Sequence, residues 1–168
     1  IATRMDTKGK KLVFIDTAPE LEKGDKTWLK NDRQSLVDVG FLVTDYTISG
    51  KNKAALIKDL EAYDTIYMCG GDSLYLLQQA QLSGFTEVIS DLVNNKSKTY
   101  IGTSAGTVVA GLNLHPTYQL SDATLAPKLE GFKGFDLVNF LILPHWGSES
   151  VREKYFNKRL EHAYSTDQ

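Results

Sequence analysis

The stretch Thr65-Ile66-Tyr67-Met68-Cys69-Gly70-Gly71-Asp72-Ser73 carries the fold in miniature. Five uncharged residues, β-branched and aromatic among them, run into two glycines and then into two residues suited to open a helix. A run that is apolar on both faces fits a strand covered by helices on each side. The glycine pair then reads as a turn from strand to helix, with Asp72 or Ser73 as the N-cap. Four other runs share this character: Lys11-Leu12-Val13-Phe14-Ile15, Phe41-Leu42-Val43, Thr99-Tyr100-Ile101 and Phe140-Leu141-Ile142-Leu143. Between them lie segments with helical spacing. Leu29, Leu36 and Val37 share a face of residues 26–39, Leu56, Ile57 and Leu60 precede Tyr63, and Val88, Ile89, Leu92 and Val93 repeat the pattern. Val151, Tyr155, Phe156, Leu160 and Ala163 would give the last helix its buried stripe. The alternation predicts an α/β fold, a doubly wound, mainly parallel sheet of the flavodoxin-like kind with helices on both faces. Residues 112–134, with Pro116, Pro127, Gly131 and Gly134, are the least regular part and read as an excursion packed on the sheet, with room for short strands.

Composition sets the outer limits. A chain of 168 residues fits a single domain that can bury about two-thirds of its unfolded surface and needs no metal or disulfide to fold. A net charge of −2, with scattered Lys and Arg, offers no footprint for nucleic acid or an anionic membrane. The single cysteine, Cys69, cannot form an internal disulfide, and no apolar run is long enough to span a bilayer. A cytoplasmic protein with small or neutral partners is the expectation, and a homodimer stays open.

In open sheets of this kind ligands bind beyond the carboxyl ends of the strands, where three segments of chemical interest fall. Gly70-Gly71-Asp72 follows one strand, Gly102-Thr103-Ser104-Ala105-Gly106 the next and Pro144-His145 a later one. A serine between glycines on a sharp strand-to-helix turn has its hydroxyl held clear of the backbone, which suits a nucleophile. Such a serine needs a base, and His145 is the candidate, with a strand cap or a bond to a backbone carbonyl as its other reading. His115 and His162 read as structural or surface residues. Oxyanion donors would be the backbone N–H groups of Ala105 and Gly71. A phosphate cradle is disfavoured, since the chain has neither Gly-x-x-x-x-Gly-Lys-Ser/Thr nor Gly-x-Gly-x-x-Gly.

Gly70 to Leu77, Gly102 to Gly106 and Leu143-Pro144-His145 resemble, in order and spacing, the peptidase E group of serine peptidases, which also contains cyanophycinases. Lys11 to Ala18 is similar to that family's strand ending in a Pro-Thr-Ala segment. The resemblance implies a fold like that of class I glutamine amidotransferases, with serine in place of their cysteine. It implies a cofactor-free and metal-free dipeptidase acting on small peptides and cleaving after an N-terminal aspartate. Ser104 would be the nucleophile, His145 the base, and Gly71 with Ala105 the oxyanion donors. Asp122 resembles an aspartate that the family carries downstream of its nucleophile and is the candidate acid, the alternative being an acid from a strand after the last helix; Arg152 resembles the family's aspartate-recognising arginine. The other reading of Arg152 is an exposed pairing with Glu149 or Glu153.

The chain also departs from the family pattern. Thr103 stands where a tryptophan is frequent and Asp72 where an asparagine is common, so an added carboxylate near the pocket would disfavour an acidic substrate unless Arg152 offsets it. Trp146 reads as a pocket wall or as core, and Cys69 as a buried strand residue. Residues 1–168 are expected to form a single hydrolytic domain without the family's N-terminal strand and C-terminal strand region, a shortened or divergent copy. Two further readings stay open: an esterase or amidase of other specificity, and a non-catalytic member that binds a ligand.

Overall fold

A computed structural model describes residues 5–115, 123–145, 147–154 and 156. Four strands form one parallel sheet: β1 (Lys11–Ile15), β2 (Leu42–Tyr46), β3 (Thr65–Met68) and β4 (Thr99–Gly102), in the spatial order β2-β1-β3-β4. β1 lies between β2 and β3, with Val13 opposite Thr44 on one side and Ile66 on the other. This is a doubly wound α/β order, and the strand order reverses between β1 and β3, where such sheets leave a crevice.

The central strands are buried on both faces. Leu12, Val13, Ile15, Ile66 and Met68 have no exposed surface, which matches their continuous apolar runs. Each such side chain contributes roughly 1.5–3 kcal/mol through burial. The covering helices are α1 (Thr27–Asp38), α2 (Lys53–Leu60), α3 (Ser73–Ser83) and α4 (Phe85–Asn94), with the single turn α5 (Ala105–Val108) after β4 and α6 (Glu149–Lys154) near the end. Asp72 caps α3, its Oδ1 accepting from the Tyr75 N–H at 2.7 Å. Asn52 caps α2 in the same way.

Some expectations fail at the margins. Val37 and Ile57 are on the outer flanks of α1 and α2 and are exposed, while Leu36, Leu56 and Leu60 supply the buried stripes. β2 begins one residue later than read and continues to Tyr46, and as an edge strand it leaves Leu42 exposed. Phe156 is exposed rather than part of a buried stripe, and the side chains of Val151, Tyr155, Leu160 and Ala163 lie outside those described.

Residues 140–143 are not a strand. The chain before them is fastened to the loop after α5, with the N–H groups of Phe135, Asp136 and Leu137 donating to the carbonyls of Val109, Gly111 and Ala110. The segment therefore leaves from that loop, not from the edge of β4, and Phe140 and Leu141 face outward. The excursion contains one antiparallel bridge, Asn113 with Lys133, and a 3-10 turn at Ala123–Leu125.

At the carboxyl end of β1, Asp16 is half-buried, and burial first, then the charges of Asp45 and Glu20, raise its carboxyl above the usual range. The unfolded chain loses this proton at lower pH than the folded one, so stability falls as pH rises past the unfolded value and through the folded one. Asp16→Asn should therefore raise the thermal midpoint at pH 7 but not at pH 3, measured by circular dichroism against the parent at both pH values.

Candidate active site

The stretch 102–106 folds as a turn pressed onto the end of β3. The Thr103 N–H donates to the Met68 carbonyl at 3.1 Å, and the Gly106 N–H donates to the Cys69 and Thr103 carbonyls at 3.2 and 2.9 Å. Side chains cannot fit at the two flanking positions. A Cβ on Gly106 would stand 2.1 Å from the Met68 carbonyl oxygen, and one on Gly102 would stand 2.5 Å from the Gly106 carbonyl oxygen. Between them Ser104 adopts φ 47° and ψ −110°, a conformation rare outside glycine that costs roughly 1–3 kcal/mol. The bend turns the hydroxyl out of the chain's path.

Ser104 Oγ lies 2.9 Å from His145 Nε2. His145 is exposed and also has a positive φ, 64°, and its carbonyl accepts from the Ser148 N–H at 3.1 Å just before α6 begins. The two side chains come from positions 41 apart in sequence and meet beyond the carboxyl ends of the strands. Among the described residues no acceptor is recorded for the backbone N–H of Gly71 or Ala105. Gly71 has φ 136°, and a Cβ there would collide with the Ala18 carbonyl carbon at 2.5 Å, so the turn is built for glycine alone.

A cleft of about 550 Å³ opens here, within the ordinary size range of small-ligand sites. Gly70, Gly71, Thr103, Ser104 and His145 are part of its lining. The remainder comes from Glu22, Trp28 and Asp32, which no sequence motif marks as site residues. Trp28 and Asp32 are four residues apart on α1, a spacing that puts both on one face but does not say what that face overhangs. Asp32 accepts from the Tyr67 hydroxyl at 3.2 Å, and that hydroxyl lies 3.1 Å from Thr103 Oγ1. Tyr67 is thereby linked to the residue just before Ser104, and burial raises its phenol well above the usual value.

The other sequence candidates are placed apart from this cluster. Asp72 caps α3 and Arg152 is exposed on α6, and neither is among the described residues lining the cleft. His115 packs edge-on against Phe132, with ring centroids 5.3 Å apart. Asp122, Trp146 and His162 lie outside the described residues. Cys69 is fully buried behind the turn, and burial pushes its thiol far above the ordinary range, which keeps it a neutral thiol rather than a thiolate. Among the described residues no group of three His, Cys, Asp or Glu is placed to hold a metal ion, and no helix is long and apolar enough to cross a membrane.

The sequence pattern of peptidase family S51 matches residues 1–167. An uncharacterized peptidase of Pasteurella multocida (strain Pm70) is 27% identical over 139 residues, covering 83% of this chain and 66% of that protein. An uncharacterized peptidase of Listeria monocytogenes serovar 1/2a is 28% identical over 146 residues, covering 87% and 70%. The chain thus spans about two-thirds of the length of these curated relatives. A crystal structure described as a "putative peptidase E protein" from Listeria monocytogenes EGD-e superposes with a TM-score of 0.86 at 27% identity, covering 93% of this chain and 76% of that one. The fold is the class I glutamine amidotransferase-like one.

The turn at Gly71 yields a direct test. Gly71→Ala forces a methyl group into the Ala18–Pro19 backbone and should lower the unfolding free energy by roughly 1–3 kcal/mol in urea denaturation.

Proposed function

The chain belongs to peptidase family S51, and from that premise we propose that it is a serine-type peptidase acting on short peptides through an acyl-enzyme on Ser104. One observation carries the proposal: Ser104 Oγ, on a turn held at positive φ, is within hydrogen-bond distance of His145 Nε2. As the serine oxygen attacks the scissile carbonyl carbon, its proton passes to Nε2. The carbonyl oxygen becomes negative and would take hydrogen bonds from the Gly71 and Ala105 N–H groups, which have no recorded acceptor among the described residues. The imidazolium then protonates the leaving amine as the carbon–nitrogen bond breaks. Water attacks the ester by the reverse path, returning the proton and freeing Ser104.

The acid that steadies the imidazolium is proposed to be Asp122, on the family resemblance alone. Aspartyl specificity would rest on Arg152, which is exposed and is not among the described residues lining the cleft. The proposal is therefore limited to peptide hydrolysis.

Ser104→Ala should abolish both labelling by a fluorophosphonate and turnover of aminoacyl p-nitroanilides, with an unchanged circular dichroism spectrum. Full activity in that variant would defeat the assignment. Asp122→Asn should lower kcat by about 10⁴-fold, the size expected for loss of the orienting acid.

A further inference from the structure

We propose that the cleft beside Ser104 selects substrates carrying a positively charged group, an ammonium or a guanidinium, held between Glu22 and Asp32 and against the Trp28 ring. The inference rests on reading Ser104 as the nucleophile, because that reading makes this cleft the place where the substrate sits.

Charge is the first support. Two carboxylates line the cleft, and no lysine or arginine is among its described lining residues. Neither carboxylate belongs to an ion pair among the described residues. The nearby lysine, Lys26, has its ammonium on the Pro19 carbonyl at 2.5 Å. Glu20, in the same loop as Glu22, is differently employed, since it accepts from the hydroxyls of Tyr75, Ser49 and Thr47. Glu22 is exposed and has no recorded side-chain partner among the described residues. Asp32 takes only the Tyr67 hydroxyl among the described residues, which leaves acceptor capacity on its carboxylate.

Shape is the second. Trp28 remains 36% exposed although it belongs to the lining, so part of the indole is available to a ligand. A Cβ placed on Gly70 would stand 3.1 Å from Ser104 Cβ and 3.7 Å from the Trp28 ring. The missing side chain at Gly70 thus keeps a passage open between indole and nucleophile. A cation is attracted by an aromatic face and by two carboxylates, whereas an acidic group would meet repulsion from both.

The test compares kcat/KM for the p-nitroanilides of arginine, acetyl-arginine, alanine and aspartate. Arginine should exceed aspartate by at least about tenfold, and Glu22→Gln should cut the arginine-to-alanine ratio by about tenfold, an effect that weakens with added salt. Preference retained by acetyl-arginine assigns the recognised charge to the side chain, and preference lost on acetylation assigns it to the α-ammonium. Aspartate turned over as well as arginine, or a ratio untouched by Glu22→Gln, overturns the proposal while Ser104-dependent turnover keeps the peptidase. In parallel, calorimetry measures binding of arginine amide to the Ser104→Ala protein, with and without the added Glu22→Gln substitution. Binding that is lost in the doubly substituted protein supports the cation site even where the parent cleaves nothing, an outcome that would sink the peptidase reading instead. Absence of binding to the Ser104→Ala protein, or binding unaffected by Glu22→Gln, overturns the cation site.

Discussion

Everything at this site hangs on one close approach, that of Gly106 to the end of β3. The Gly106 N–H reaches the Cys69 carbonyl, and the position its Cβ would occupy is already filled by the Met68 carbonyl oxygen. Contact at that distance is possible only without a side chain, so the turn can sit directly on the neighbouring strand. Gly102 allows the same thing one step earlier, against the Gly106 carbonyl. With both ends of the turn clamped, the residue between them must absorb the bend, and Ser104 does so at positive φ. The strain is tolerated because Met68, Cys69 and Ala105 around it are buried in the core cluster. Fold stability and site geometry are therefore one problem here. A methyl group added at either glycine would disturb both.

How much of this could be read from residues alone follows from the physics of each signal. β1 and β3 were legible because a strand covered on both faces must be apolar at nearly every buried position, as Leu12 to Ile15 and Ile66 to Met68 are, and few other elements of four or five residues share that requirement. The meeting of Ser104 and His145 was legible because each follows an apolar run whose chain then turns at the ligand-binding edge of such sheets. The apolar run at 140–143 gave the opposite lesson. Hydrophobicity states what a segment could bury, whereas the backbone bonds of Phe135, Asp136 and Leu137 decide where it goes, and they lead it to the loop after α5. His145 reaches Ser104 all the same, from an irregular loop rather than from a strand end.

Glu22, Trp28 and Asp32 were not legible as site residues, for a different reason. Nothing in their own spacing separates an outward polar face of α1 from one that overhangs a cleft, because the hydrophobic stripe through Leu36 fixes the helix's rotation but not its reach along the sheet. Only the pairing of β1 with both β2 and β3, which sets where the start of α1 falls, brings that face over Gly70. Val37 and Ile57 misled for a related reason, since a helix flank can be apolar and still face water.

Among the described residues the two halves of the Ser104–His145 pair are anchored in different ways. Ser104 is locked between glycines whose neighbours are core residues, and its position is dictated by three backbone bonds from Thr103 and Gly106 to β3 and to the turn itself. His145 stands on an exposed loop steadied by the bond to Ser148 and by the short helix that follows. Whatever fixes that loop, whether a carboxylate on the imidazole or a substrate filling the cleft, acts on the pair through His145 and leaves Ser104 where the sheet put it. The Tyr67 hydroxyl, bridging Asp32 and Thr103, ties the acidic lining of the cleft to the turn that carries Ser104. A charged group drawn to that lining would therefore be registered against the nucleophile by the same strands that hold the fold together.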